Sequence, residues 1–140
     1  MRRLAIGLLA ITAAFATELS ALQGKTTADG VYSDAQAKRG EAAYTQSCSS
    51  CHGPDLSGLD SAPSLSGSEF LTSWTDQTVD DLVERVRTSM PADAPGTLAR
   101  PMVVDIASFI LSKNGFPAGA ADLPTESDAL KAIKIVAAKK

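Results

Sequence analysis

One pentapeptide constrains the fold of this chain more than any other stretch: Cys48-Ser49-Ser50-Cys51-His52. It contains both cysteines and the only histidine of the 140 residues. Two thiols at this spacing can reach the two vinyl groups of one haem and form thioethers with them. The next residue then lies under the ring, where its imidazole can ligate iron as the proximal ligand. The run therefore predicts one covalently attached haem c, held by Cys48 and Cys51 and ligated by His52.

Other interpretations of the same run stay open at this point. A redox-active Cys-x-x-Cys pair should follow a strand in a βαβ unit, whereas the flanks here have helical character. A disulfide across so short a loop would add little stability. Half of a zinc site would need four ligands, and the sequence has no second pair of cysteines or histidines.

The composition fits a small single domain. Only 5% of the residues are aromatic, so a bound haem would add a large apolar body to a limited core. The formal net charge is −3. A mildly acidic chain is a poor candidate for binding nucleic acid or an anionic membrane surface, and we expect neither.

The first residues have the layout of a secretory signal peptide, with a short basic start, an apolar run over Leu4–Phe15 and small residues at possible cleavage sites. We predict a signal peptide over residues 1–21, cleaved after Ala16 or Ala21, and therefore a periplasmic or otherwise exported protein. The apolar run is short for a bilayer, so no stable transmembrane span is expected after processing, although an uncleaved anchor is the alternative. Residues 22–32 are polar and contain glycine, which predicts a linker.

The first helix is predicted to begin after Ser33, an N-cap residue with Gln36 as its capping-box partner. Gly40 and Tyr44 follow on one face of this helix. A glycine inside a helix costs about 1 kcal/mol relative to alanine. The close approach of another helix would explain its presence.

Two further helices have recognisable ends. Thr78 is the predicted N-cap of one helix, which should stop near Met90 because Pro91 disfavours helical geometry in the preceding residue. Pro101 suits the first turn of the other, and Asn114 with the glycine after it supplies a stop.

Met90 is the predicted sixth ligand. A methionine at a helix end, held by a proline-containing loop, can present its thioether to the open face of a haem. Of the other two methionines, Met1 would leave with the signal peptide and Met102 is predicted to pack in the core. Simple core filling is the alternative for Met90.

Three more residues are candidates for contacts with the haem. A ligating histidine usually donates its second ring nitrogen to a carbonyl or carboxylate, and Pro63 is a candidate source of that carbonyl. Leu65 could bring an apolar side chain to the ring. Trp74 has a single N–H that could bond a haem propionate. An ordinary turn proline and an ordinary core tryptophan are the alternatives.

Over residues 30–115 the chain resembles the class I c-type cytochromes. The resemblance depends on Gly40 and Tyr44, the haem motif, residues 62–65, Met90-Pro91, and a helix carrying Ile106 and Phe109. It implies an all-α cytochrome c fold, with three core helices and loops around one covalent haem. It also implies His52 and Met90 as axial ligands, a bond from His52 to the Pro63 carbonyl, and a crossing of the first and last core helices.

The resemblance assigns residues 33–115 to the cytochrome c domain and leaves residues 116–140 as an extension with a short helical tail. We expect the end of this extension to be solvated and frayed. The chain is most similar to small cytochromes that accompany quinoprotein dehydrogenases, or to cytochrome subunits of terminal oxidases.

This similarity implies that the protein is a one-electron carrier and not an enzyme. The carrier would shuttle electrons from a dehydrogenase toward a terminal oxidase or another cytochrome. Its partners would be those redox proteins. A haem enzyme or gas sensor with an open sixth position is the alternative. It would need polar groups above the iron, and no second histidine is available for that role.

Overall fold

Helices make up most of the regular structure in the computed structural model, which describes residues 24–60 and 62–137. The predicted signal peptide lies outside these residues. A short 3₁₀ helix, Thr27–Asp29, precedes the first α-helix. The α-helices are α1 Asp34–Ser47, α2 Ser49–His52, α3 Gly67–Trp74, α4 Val79–Ser89, α5 Arg100–Lys113 and α6 Ser127–Lys131, and the strands are β1 Lys25–Thr26 and β2 Ile133–Lys134.

The crossing of α1 and α5 is the main packing contact of the domain. A Cβ atom on Gly40 would lie 1.8 Å from the Asp105 carbonyl oxygen, so only glycine allows the two backbones to approach this closely. One turn further along, the rings of Tyr44 and Phe109 meet with centroids 5.2 Å apart. The helix crossing implied by the sequence is therefore present, and it explains the glycine inside α1.

The start of α1 follows the prediction only in part. The Ser33 hydroxyl accepts a hydrogen bond from the Gln36 N–H, as expected of an N-cap. The Gln36 side chain does not complete a capping box. Its amide donates to the Leu123 carbonyl at 3.2 Å, and its oxygen accepts from the Leu123 N–H at 2.6 Å. Gln36 therefore ties the C-terminal extension to α1.

Helices α4 and α5 begin as the sequence predicts. Thr78 and Asp81 form a reciprocal capping box at the start of α4, and Pro101 lies in the first turn of α5. Met102 departs from the prediction, because its side chain is 41% exposed rather than packed in the core. Helical side chains lean toward the N-terminus, so a residue in the first turn extends past the end of the packed interface.

Both ends of the described chain are more ordered than the sequence predicts. Strand β1 pairs in parallel with β2, where a linker and a frayed terminus were expected. Leu130, Ile133 and Ile135 are almost fully buried in the common core. Strands of two residues are too short to show periodicity in a sequence, so they could not be predicted. The burial of the three aliphatic side chains holds the extension against the domain.

Candidate functional site

The predicted haem-attachment motif forms a tight turn at the junction of α1 and α2. The Cys48 N–H donates to the Tyr44 carbonyl at 2.8 Å and closes α1. The N–H of His52 then donates to the Cys48 carbonyl at 3.0 Å, so the two cysteines and the histidine share a single helical turn. Cys48 is half-buried, Cys51 is exposed, and both are free thiols. Both thiols are therefore available on one short segment.

His52 lies at the base of this turn, with a fixed ring orientation. Only 7% of the residue is exposed, and its Nδ1 lies 2.9 Å from the Pro63 carbonyl oxygen. A carbonyl oxygen can only accept, so Nδ1 is the donor in this contact, and in the neutral imidazole this tautomer leaves the lone pair on Nε2. The structure thus brings Pro63 and His52 together in the arrangement that the sequence resemblance implied. The ring nitrogen left free is the one that could ligate a metal.

Leu56 holds together the loop that places the Pro63 carbonyl next to His52. Its own carbonyl accepts from the Leu65 N–H at 2.8 Å and from the Ser64 hydroxyl at 3.0 Å. Leu56 is fully buried with φ of 65°, a left-handed conformation that is uncommon for a non-glycine residue. Such strain persists where the surrounding contacts determine the backbone. Sequence reasoning missed Leu56, because a single leucine in an irregular loop carries no local signal.

Gly58 allows the same loop to fold back on itself. A Cβ atom at Gly58 would lie 2.5 Å from the Ala62 carbonyl oxygen, and the residue has φ of 80°. Its N–H donates to the His52 carbonyl at 2.9 Å. The loop is therefore tied to the histidine by its backbone at Gly58 and by the ring contact at Pro63.

Tyr44 makes hydrogen bonds to the first residue of the motif and to the residue that follows it. Its hydroxyl donates to the Gly53 carbonyl at 2.7 Å, and its own carbonyl accepts from the Cys48 N–H. Burial raises the pKa of Tyr44 to about 12, so the hydroxyl stays a donor throughout the physiological range.

Cys48 does not have the character of a reactive thiol. Burial, followed by the neighbouring Cys51, raises the pKa of Cys48 to about 11. Reactive thiols in Cys-x-x-Cys pairs have lowered pKa values. The described residues also hold no cluster of three or more His, Cys, Asp or Glu side chains that could bind a metal ion. Within that part of the chain, the structure favours neither a redox-active Cys-x-x-Cys pair nor a zinc site.

Leu65 and Trp74 lie beside the core. Leu65 is half-buried, and its carbonyl accepts from the Asn114 side chain at 3.0 Å. Trp74 is also half-buried and packs against Phe70, with ring centroids 6.3 Å apart. Their predicted contacts with a haem stay predictions.

Met90 caps the C-terminal end of α4. Its N–H donates to the Val86 carbonyl at 2.9 Å, and its backbone is extended, as expected before a proline. The side chain is half-buried. Residues 90–99, the Met90 loop, then lead to the start of α5. Ligation by Met90 stays a prediction.

The residues present fit a c-type haem. Two free thiols are available for thioethers, and the ring of His52 is oriented by its Nδ1 contact, which leaves Nε2 as the nitrogen that could ligate iron. An all-α domain in which the first and last long helices cross at a glycine, and in which Cys-x-x-Cys-His precedes a Met-Pro loop, is a class I c-type cytochrome.

Comparison with known families agrees with this class. Residues 35–110, more than half of the chain, match the family described as cytochrome C oxidase, cbb3-type, subunit III. The chain belongs to this family of c-type cytochrome domains. It therefore binds haem c iron and transfers electrons, and the domain is not itself a catalyst. The fold class, the haem and the electron-transfer role predicted from the sequence are confirmed.

Other comparisons add less. No curated protein matches the chain significantly. Among solved structures, the chain is similar to a chain in the crystal structure of the sulfane dehydrogenase SoxCD from Paracoccus pantotrophus, with 27% identity and a TM-score of 0.48. The match covers 71% of this chain and 55% of that one, so this chain spans about half the length of the structure it matches. Within the described residues, no helix has the length and apolar character needed to cross a membrane.

Proposed function

We propose that this protein is a periplasmic one-electron carrier with a single haem, attached covalently through Cys48 and Cys51 and ligated by His52 and Met90. The contact between His52 Nδ1 and the Pro63 carbonyl, 2.9 Å long, supports the proposal most directly. It orients a buried imidazole on the same helical turn that carries two free thiols. A merely structural cysteine pair would not need this arrangement.

Each residue has a defined task in this proposal. The bound haem iron supplies reversible one-electron transfer. The Pro63 carbonyl accepts a hydrogen bond from Nδ1–H of His52, which fixes the tautomer and makes Nε2 a stronger ligand for iron. Met90 would be the second iron ligand through its thioether, and Met/His ligation would favour the reduced state and raise the reduction potential. Leu65 would contact the bound haem with its apolar side chain, and Trp74 would contact it with its N–H.

The proposed location and partners depend on the sequence and the family. The signal peptide predicted over residues 1–21 would direct the chain to the periplasm. The family description names a terminal oxidase, which supports electron flow from a dehydrogenase toward such an oxidase or another cytochrome. Docking with these partners would be transient, with a small interface.

An absorption experiment on the matured protein tests the ligand set. The full chain is expressed together with a cytochrome c maturation system, and spectra are recorded in both oxidation states. We expect one haem per chain that resists acid–acetone extraction, low-spin bands, and little binding of carbon monoxide to the reduced protein. Replacing Cys48 or Cys51 by serine should make part of the haem extractable. Rapid carbon monoxide binding by the unmodified protein would instead indicate an enzyme or sensor with an open sixth position.

Met90→Ala tests the sixth ligand, and Met102→Ala is its matched control because Met102 is the other methionine in the described chain. We expect Met90→Ala to bind carbon monoxide readily and to have a lower reduction potential. Met102, with 41% of its residue surface exposed, should be neutral in both assays. Identical potentials for Met90→Ala and the unmodified protein would rule out Met90 as the ligand.

A further inference from the structure

We propose that Arg100 is a positioning residue for Met90. It connects the start of α5 to α4 and to the C-terminal extension, and so holds the two ends of the Met90 loop at a fixed separation. This inference depends on the proposed function, because it is in that function that Met90 ligates iron.

The Met90 loop makes few hydrogen bonds of its own. Its internal hydrogen bonds run from the Ala94 N–H to the Pro91 carbonyl and from the Thr97 hydroxyl to the Ala94 carbonyl. Within the part of the chain that the structure describes, no hydrogen bond joins residues 91–98 to another element. Leu98 packs against the core next to the start of α5. The position of Met90 therefore depends mainly on how the two ends of the loop are held.

Arg100 holds one end through three separate partners. Its Nη2 donates to Asp80 at 2.7 Å, its Nη1 donates to Glu84, and its Nε donates to the Thr125 carbonyl at 2.6 Å. Asp80 is buried, and its second oxygen accepts from the Ser127 hydroxyl at 2.8 Å. The planar guanidinium can serve three directions at once, which a lysine ammonium cannot reproduce with the same geometry.

Arg100 and its acidic partners lie on the two helices that the Met90 loop connects. Asp80 and Glu84 lie one turn apart on α4, whose C-terminal end is capped by Met90. Arg100 is the first residue of α5, directly after the loop. The ion pairs are charge-assisted and partly shielded, with 24% of the Arg100 side chain exposed, so they are stronger than ordinary surface pairs. Loss of Arg100 would let α5 and α4 move apart and displace Met90 from its place.

Arg39 provides a matched control. It also connects a helix to α5 and to the extension, through Asp105 at 3.1 Å and Asp122 at 2.7 Å. It projects from α1, and its two carboxylate partners lie outside the Met90 loop and α4. Removing Arg39 therefore also breaks two ion pairs, although more exposed ones, without releasing the loop.

The experiment compares Arg100→Met, Arg100→Lys and Arg39→Met in the full haem-loaded chain. The first measurement is the rate of carbon monoxide binding to the reduced protein, and the second is hydrogen exchange of residues 90–99. We expect about tenfold faster binding in Arg100→Met, because that rate follows the fraction of molecules with a displaced loop. Arg100→Lys should be intermediate, and Arg39→Met should stay within about twofold of the unmodified protein.

A second variant covers the case in which Arg100→Met does not fold. Without Arg100, the buried Asp80 would be uncompensated. Asp80→Asn combined with Arg100→Met removes that charge, and it should show the same faster binding. The inference is overturned if the Arg100 variants lose thermal stability while their binding rates and hydrogen exchange match those of Arg39→Met.

Failure of the ligand proposal would be recognised separately. If Met90→Ala binds carbon monoxide no faster than the unmodified protein, Met90 is not the ligand and the proposed function is wrong in that respect. Hydrogen exchange then tests separately whether Arg100 holds the Met90 loop in place. Faster exchange of residues 90–99 in Arg100→Met than in Arg39→Met supports it, and equal exchange overturns it.

Discussion

Substitution of Gly40 by alanine tests how closely α1 and α5 must approach for this domain to fold. The added Cβ atom would lie 1.8 Å from the Asp105 carbonyl oxygen, 2.5 Å from its carbonyl carbon and 3.0 Å from the Phe109 Cβ. Ordinary van der Waals contact begins near 3.4 Å. The two nearest atoms belong to the backbone, so no change of rotamer relieves the overlap, and the helices must separate by roughly 1.5 Å.

The magnitude follows from two opposing terms. In an open helical position, glycine to alanine would stabilise the chain by about 1 kcal/mol. Overpacking of a well-packed interface typically costs about 1–3 kcal/mol and occasionally more, and a clash with backbone belongs at the upper end. Separation of the helices also weakens the contact of Tyr44 with Phe109. We expect a net loss of about 2–3 kcal/mol once the weakened ring contact is included, a large part of the stability of a small domain.

Urea unfolding of the haem-loaded protein, followed by far-UV circular dichroism, measures this loss. Ala42→Gly is the matched control, because Ala42 is exposed on the same helix and should lose only about 1 kcal/mol from helix propensity. A Gly40→Ala protein as stable as the unmodified one would refute this account of the crossing.

Two further predictions concern single hydrogen-bonded groups. Tyr44→Phe should lower the free energy of unfolding by about 1–2 kcal/mol, because it leaves the Gly53 carbonyl without its buried donor; an unchanged urea midpoint would show that water replaces the hydroxyl. Hydrogen bonds from the hydroxyl and the N–H of Thr78 hold the pKa of Asp81 below its ordinary value of 3.8. The ionised carboxylate therefore stabilises the fold above that pH, and this contribution is lost as the pH falls through the lower folded value. Asp81→Asn should be less stable by about 0.5 kcal/mol at pH 7, and this deficit should shrink as the pH falls below 3.8; a deficit that is independent of pH would contradict this.

The parts of the fold that could be predicted from the sequence are those with local signals. The Ser33 and Thr78 caps, the stop before Pro91 and the glycine on α1 each depend on residues within a few positions of one another. The contact of His52 with Pro63 spans eleven residues and came from the resemblance rather than from any local pattern.

The missed features all join distant parts of the chain. Gln36 suits a capping box by sequence, but its amide satisfies the Leu123 backbone 87 residues away. Arg100 has no neighbouring partner in the sequence, yet it is the centre of a network of ion pairs with α4 and a hydrogen bond to the extension. No pattern within one segment reveals such partners, because the packing of the whole chain selects them.

The pairing of β1 with β2 has a consequence for how the protein is made. Beside this pairing, the Val136 N–H donates to the Thr27 hydroxyl, 109 residues away, so the contact requires two distant segments to meet. Contacts between distant segments cost the most loop-closure entropy. Cys48 and Cys51, in contrast, share one helical turn and need no distant partner. We therefore expect the turn that carries both thiols to form before the two ends of the domain are joined, so both cysteines would be in place while the domain is still open there.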